Sequence, residues 1–153
     1  MAVKQLGDSW RLRAMVQADI QITSNVLGGT SVVIDLPSEG LWEIRGVVIY
    51  RTVALTTGVR LGMLVPANDG FSVSVNIFTA ADAVNACFSG QINNSKSSVV
   101  SPAVQTANTD QHAEFYGVLN ALSTGTLQFA VASEVNGSAV TIRPGSFFLA
   151  TSI

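Results

Sequence analysis

The chain has 153 residues, enough for a single domain with its own core, and its formal net charge is −2. Only 12% of the residues are charged and 48% are hydrophobic, whereas an average soluble domain is about 25% charged. Such an acidic, charge-poor chain lacks the clustered basic surface of nucleic-acid-binding proteins, so we expect no nucleic-acid partner.

The first residues differ from the remainder in charge. Lys4, Arg11 and Arg13 stand against a single acidic residue, Asp8, whereas acidic residues outnumber basic ones after residue 13. No apolar run of about 7–15 residues follows Lys4, so we expect no secretory signal, and we expect no membrane-spanning segment. We predict that residues 1–14 form an amino-terminal arm ahead of a domain at residues 15–153. Trp10 either anchors this arm in a partner's groove or folds back over its own domain.

Alternation of apolar and polar residues is the main structural signal. It is clearest at residues 71–77 (FSVSVNI), where every odd position is apolar, as in a half-buried strand. Turn residues such as Gly, Pro and Asn separate the runs. This pattern predicts an all-β antiparallel sandwich of jelly-roll type with about eight to ten strands. The predicted strands are 18–23, 30–36, 41–52, 59–65, 71–77, 112–122, 126–132, 139–143 and 146–152.

One segment has the signs of a short helix. Thr79 is placed to cap a helix running to Ala86, with Asp82 three residues later as the reciprocal acid of a capping box. We predict at most this one helix. Residues 91–109, rich in Ser, Asn and Val, are predicted to be a long loop with one or two irregular strands.

Residues that could carry chemistry are few. Cys87 is the only cysteine, lies in an apolar context, and is predicted to be a buried, inert thiol. Asp110, His112 and Glu114 alternate on one strand face and could hold a divalent cation, although the solvated start of a strand is the simpler interpretation. No nucleophile elbow, Walker loop or dinucleotide fingerprint is present, so we assign no catalytic residue, no metal and no cofactor.

The final strands are uncharged on both faces. If Leu127, Phe129 and Val131 face the core, their neighbours face outward and are small or neutral, without the Lys or Glu of a solvated sheet. Charge is depleted at the centres of subunit interfaces, so we predict that copies of the chain cover these faces. The alternative is a surface coated with Ser, Thr, Asn and Gln. The predicted interface residues are Tyr116, Gln128, Ala130, Phe148 and Ala150.

Several segments resemble a known family. Residues 40–50 (GLWEIRGVVIY), 56–62 (TTGVRLG) with Pro66, 115–118 (FYGV), 125–129 (GTLQF) and 140–147 (VTIRPGSF) carry the likeness. Over residues 19–153 the chain resembles the small trimeric jelly-roll domains of tailed-bacteriophage virions. Those domains are similar in fold to the heads of tumour necrosis factor and complement proteins.

The resemblance implies a homotrimer with a structural role, and no catalytic residues. It implies first a capsid decoration protein, made in the host cytoplasm and placed on the outer surface of the phage head. There it would bind the major capsid protein, and we assign that contact to Lys4, Trp10, Arg11 and Arg13 of the arm. The second role is the receptor- or glycan-binding tip of a tail fibre or spike. A virion enzyme built on Asp110, His112 and Glu114 is a third class.

Overall fold

The computed structural model describes residues 3–4, 10–79, 87–104 and 106–153, and these residues form thirteen β-strands and no helix. The strands are β1 (Val3–Lys4), β2 (Trp10–Met15), β3 (Ile20–Ile22), β4 (Gly28–Leu36), β5 (Gly40–Thr52), β6 (Val59–Leu64), β7 (Asn68–Phe78), β8 (Cys87–Ile92), β9 (Ser98–Val100), β10 (Gln111–Ala121), β11 (Gly125–Ser133), β12 (Val140–Ile142) and β13 (Phe147–Ser152).

The strands form two antiparallel sheets with jelly-roll connectivity. The large sheet has the order β1-β2-β13-β5-β10-β7-β8, and the small sheet has the order β4-β11-β6-β9. If β2, β4, β5, β6, β9, β10, β11 and β13 are counted as strands 1 to 8, the sheets follow the orders 1-8-3-6 and 2-7-4-5. These are the two interleaved Greek keys of a jelly roll, and the β7–β8 hairpin extends the large sheet.

The long strand β5 organises the large sheet. One of its edges pairs with β10, while its other edge pairs with β13 and then with β12. β12 and β13 are therefore one strand interrupted at Pro144 and Gly145, and Gly145 has φ of 92°, a conformation that glycine adopts without strain. The neighbouring strands β3 and β2 are interrupted at the same place, because β3 pairs with β12 and β2 pairs with β13.

The core fills the space between the sheets. Trp42 and Tyr50 of β5 are fully buried, and Phe115, Phe129 and Phe148 bring three strands together in one aromatic cluster. Their ring centroids lie 4.9 to 6.0 Å apart, with Phe115 edge-on to both others. This is the geometry that aromatic quadrupoles favour. Burial of Trp42, which its place inside a predicted strand implied, is confirmed.

The structure confirms the predicted all-β jelly-roll sandwich and all nine predicted strands, with bounds shifted by a few residues. The described residues hold more strands than predicted, because β1, β2 and β8 were not expected. Within the predicted helix, residues 80–86 lie outside the described residues, and Thr79 is in neither a helix nor a strand. The stretch 91–109 contains the short β9, which agrees with the one or two irregular strands predicted there, and also the end of the unexpected β8.

Candidate interaction surface

The large sheet exposes a mixed apolar and charged face where β2, β13, β5 and β10 lie side by side. Cross-strand register places Arg13 opposite Leu149, Leu149 opposite Arg45, and Arg45 opposite Tyr116. The adjacent row contains Met15, Phe147, Val47 and Glu114 in the same strand order. We call these eight side chains the outer face: Arg13, Met15, Arg45, Val47, Glu114, Tyr116, Phe147 and Leu149.

The centre of the outer face is apolar and only partly covered. Val47, Phe147 and Leu149 are half-buried, and Tyr116 is 59% exposed although it is a large aromatic residue. These residues line a shallow groove of about 340 Å³, together with charged side chains at its margin. A contiguous apolar patch rimmed by polar groups is typical of an interaction site.

An internal ion pair neutralises the charges at the middle of this face. Arg45 donates two hydrogen bonds to Oε1 of Glu43, from Nη2 at 2.7 Å and from Nε at 3.1 Å. The hydrogen bond and the negative charge of Glu43 raise the pKa of Arg45. The guanidinium carbon also lies 5.3 Å from the ring centroid of Tyr116, within cation–π range. Arg45 is thus held between Glu43 and Tyr116 at the margin of the groove.

A glycine determines which side of β13 faces the core. A Cβ atom at Gly46 of β5 would lie 2.5 Å from Cδ1 of Phe148, so the Phe148 ring occupies the space that a side chain would need. Phe148 is buried and Ala150 is fully buried, whereas Phe147 and Leu149 belong to the outer face. The prediction that Phe148 and Ala150 form the subunit interface is therefore wrong, because they pack in the core.

Two other predicted interface residues lie on the small sheet. Ala130 is fully buried, and Gln128 is half-buried with its amide donating to the carbonyl of Thr30 at 2.6 Å. Gln128 also packs where a side chain at Gly29 would be, so its polar head is satisfied within its own subunit. Of the five predicted residues, only Tyr116 lies on the outer face of the large sheet.

The proposed arm is partly sheet. Trp10, Arg11 and Arg13 lie in β2, which pairs with β13, and Leu12 between the arginines is buried. The prediction that regular structure begins only after residue 14 is wrong for these residues, since Trp10 packs against the core and the arginines project outward. Lys4 lies in β1, which pairs with β2.

Asp110, just before β10, and His112 and Glu114 on β10 make separate contacts. Asp110 pairs with Arg51 at 2.9 Å and lies 3.4 Å from Nε of Arg143. His112 stacks on Phe78 with centroids 4.4 Å apart, and its Nε2 lies 4.0 Å from Glu114. Among the described residues, no group of three His, Cys, Asp or Glu side chains is arranged to hold a metal ion.

Cys87 is exposed, so the prediction of a buried thiol is wrong. Its Sγ lies 3.6 Å from Oγ of Ser89 at the start of the edge strand β8. Its apolar neighbours in sequence suggested burial, but β8 is the last strand in the order of the large sheet and its residues 87–89 are exposed.

Comparisons with known proteins find distant similarity to solved structures only. No family model and no curated protein sequence matches this chain. Eiger TNF from S. frugiperda aligns over 94% of this chain and 91% of its own, with 10% identity and a TM-score of 0.44. The VP2 subviral particle of infectious bursal disease virus aligns with 98% of this chain, at 9% identity and a TM-score of 0.45. This chain spans 41% of the VP2 chain.

The part of the chain that the structure describes contains no helix that could cross a membrane. The arrangement found here is a jelly roll whose large sheet offers an apolar surface bordered by charges.

Proposed function

We propose that this chain is a structural protein that assembles into a homotrimer through the outer face. The partly exposed apolar centre of that face, formed by Val47, Tyr116, Phe147 and Leu149, carries the proposal. Covering it would remove apolar surface from water at roughly 25 cal/mol per Å². The low charge of the whole chain, 12%, fits a protein whose surface is partly hidden in an assembly.

We further propose that the trimer is a bacteriophage capsid decoration protein on the outside of the head. The sequence resemblance supports this role. A trimer presents three copies of any shell contact, so weak single contacts with the major capsid protein would add to a strong attachment. Binding only to the assembled shell would stabilise that shell by mass action. Residues 1–9, including Lys4, are the proposed shell contact, because Trp10, Arg11 and Arg13 belong to a core sheet.

The oligomeric state is tested by sedimentation velocity in reducing buffer, because the exposed Cys87 could otherwise link copies covalently. We expect a species three times the mass of the 16.0 kDa chain. Leu149→Glu should convert it to monomer by placing a charge at the centre of the outer face. Ser31→Glu is the matched control, because Ser31 is an exposed strand residue of the small sheet. A wild-type monomer at micromolar concentration would overturn the trimer.

The role in the particle is tested by co-sedimentation with phage heads that lack the protein. We expect wild-type trimers to bind heads, and a variant without residues 1–9 to remain trimeric but to lose binding. Trimers that bind host cells or glycans and ignore heads would replace the decoration role with that of a fibre or spike tip.

A further inference from the structure

Unpaired charges of opposite sign lie on opposite sides of the outer face. Arg11 and Arg13 project from β2, and within the described residues neither has an acidic partner. Among the described residues, Arg13 lies over the Phe147 ring, whose centroid is 6.0 Å from the guanidinium carbon. This side of the face is therefore basic.

The opposite side of the face is acidic. Glu114 on β10 has a side chain that is 53% exposed, and among the described side chains its nearest basic group is His112, whose Nε2 lies 4.0 Å from its Oε1. The other carboxylate on these strands, Glu43, is already bonded to Arg45. Glu114 therefore leaves an uncompensated negative charge where β10 borders the groove.

Arg13 and Glu114 do not meet within one subunit. β13 and β5 separate β2 from β10, which places the two strands about 14 Å apart at about 4.8 Å per strand. That separation exceeds the range of direct contact and the Debye length of about 8 Å at physiological salt. The apolar centre of the outer face lies between them.

We infer that Arg13 of one copy pairs with Glu114 of the next copy when two outer faces meet. This inference rests on the proposed self-association. A ring of identical subunits joins two different patches of the same chain at every contact, so a face that is basic on one side and acidic on the other is self-complementary. Charges at the margin of an apolar contact fix partner orientation and register more than they add affinity.

The pairing assigns β2 a different role from the one expected from the sequence. Arg11 and Arg13 face the same side of the sheet as Tyr116, so a subunit contact that spans the whole outer face includes the arginines. Arg13 is thus a residue of the subunit interface and sets the register between copies. Arg11, one pleat further along β2, supports the same basic side.

Charge reversal tests the pairing. Arg13→Glu sets two carboxylates against each other across each contact, and Glu114→Arg sets two guanidinium groups against each other. Exposed ion pairs are individually weak, but a trimer contains three such contacts. We therefore expect each single reversal to raise the midpoint concentration of association roughly tenfold in sedimentation equilibrium. The double variant Arg13→Glu/Glu114→Arg should return to within about twofold of wild type.

Matched controls separate local pairing from net charge. Lys96→Glu and Glu39→Arg make the same changes in net charge at exposed positions outside the outer face, and they should leave the midpoint unchanged. Circular dichroism on every variant checks that the fold is retained. A reversal at either control site that weakens assembly as strongly as Arg13→Glu would overturn the inference.

The outcomes distinguish this inference from the proposed function. If the wild-type protein is an oligomer but the double variant associates no more tightly than the single variants, the pairing is overturned. Self-association then remains intact. If the wild-type protein is a dimer and the double variant restores its association, the pairing is supported and the trimer is overturned. A chain that stays monomeric overturns both.

Discussion

Gly117 of β10 lies where the neighbouring strand leaves no room for a side chain. A Cβ atom there would overlap the carbonyl oxygen of Ser72 and approach Cα of Val73 on the neighbouring strand β7. Both atoms belong to the backbone, so no rotamer change can make room. The close contact between β10 and β7 at this point depends on the missing side chain.

We predict that Gly117→Ala lowers the free energy of unfolding by at least about 2 kcal/mol, because the sheet must distort to admit the methyl group. Gly70→Ala on β7 is the matched control, since a Cβ atom there meets nothing within 4 Å. The control should change stability by less than about 0.5 kcal/mol. Urea denaturation at fixed protein concentration measures both, and equal stabilities of the two variants would contradict the packing argument.

Tyr50 has a buried hydroxyl group whose ionisation makes the free energy of unfolding depend on pH in the alkaline range. It donates to the carbonyl of Phe78 at 2.7 Å, and Oε1 of Gln111 lies 3.1 Å away. Burial raises the pKa of Tyr50 well above its ordinary value of about 10, because the phenolate would lose its hydration. The native state therefore keeps the proton at a pH where the unfolded chain releases it.

This shift predicts a loss of stability above pH 10. The contribution of Tyr50 is fully present below the unfolded pKa of about 10 and falls as pH rises, since only the unfolded tyrosine ionises there. Wild type should exceed Tyr50→Phe by about 1–2 kcal/mol at pH 8, and that advantage should shrink by about 1.4 kcal/mol at pH 11. Urea titrations of both proteins at the two pH values measure the difference. A constant difference would show that Tyr50 ionises equally in both states.

At the scale of elements, β13 places alternate residues in the core and on the outer face. Phe148 packs against Phe115 and Phe129 inside the sandwich, with ring centroids 5.1 and 4.9 Å away. Phe147, its neighbour in sequence, projects to the outer face and lines the groove. The two residues have identical chemistry and opposite surroundings.

We predict opposite phenotypes for alanine at these two positions. Phe148→Ala should cost about 3–5 kcal/mol of unfolding free energy, because it leaves a cavity in the aromatic cluster. Phe147→Ala should leave stability of the monomer nearly unchanged and weaken self-association. Chemical denaturation and sedimentation together measure the two effects. A severe loss of stability in Phe147→Ala with little effect from Phe148→Ala would reverse the orientation of β13.

The same strand shows what alternation alone can and cannot predict. Nine strands were predicted because their apolar residues recur at every second position, but the segment 147–152 has apolar residues at both odd and even positions. The decisive signal for the orientation of β13 was Gly46 on the partner strand, and its pairing with Phe148 is not visible without the register. The sequence of β2 also alternates, and Trp10, Leu12 and Ala14 face inward. Its arginines led us to predict an arm outside the sheet instead.

The site was predictable to a smaller extent than the fold. Tyr116 was predicted to be an interface residue and is exposed on the large sheet, whereas Arg45, Val47, Phe147 and Leu149 lie beside it only through cross-strand pairing between distant segments. An interaction surface on a sheet is assembled from strands far apart in sequence, so local patterns give its components without their neighbours. The shortage of charge led us to predict that some surface is covered, and the sheet order shows which apolar side chains lie together on the outer face.

At the scale of the whole molecule, self-association links stability to concentration. If the native state is a trimer and the unfolded state is a single chain, mass action stabilises the native chain as protein concentration rises. For three chains per particle, each tenfold increase adds about 0.9 kcal/mol per chain, which is two thirds of the value for a tenfold change in an equilibrium constant. A domain of this size gains about 2–4 °C in melting temperature per kcal/mol.

We therefore predict that the melting temperature of the wild-type protein rises by about 2–4 °C for each tenfold increase in concentration, as measured by scanning calorimetry. Leu149→Glu, which removes the apolar contact at the centre of the outer face, should melt at one temperature throughout the same range. Ser31→Glu, on the small sheet, should retain the wild-type slope. A wild-type melting temperature that is constant over a hundredfold range would mean that the outer face stays uncovered in the native state, because only a partner bound to the folded chain can make the transition depend on concentration.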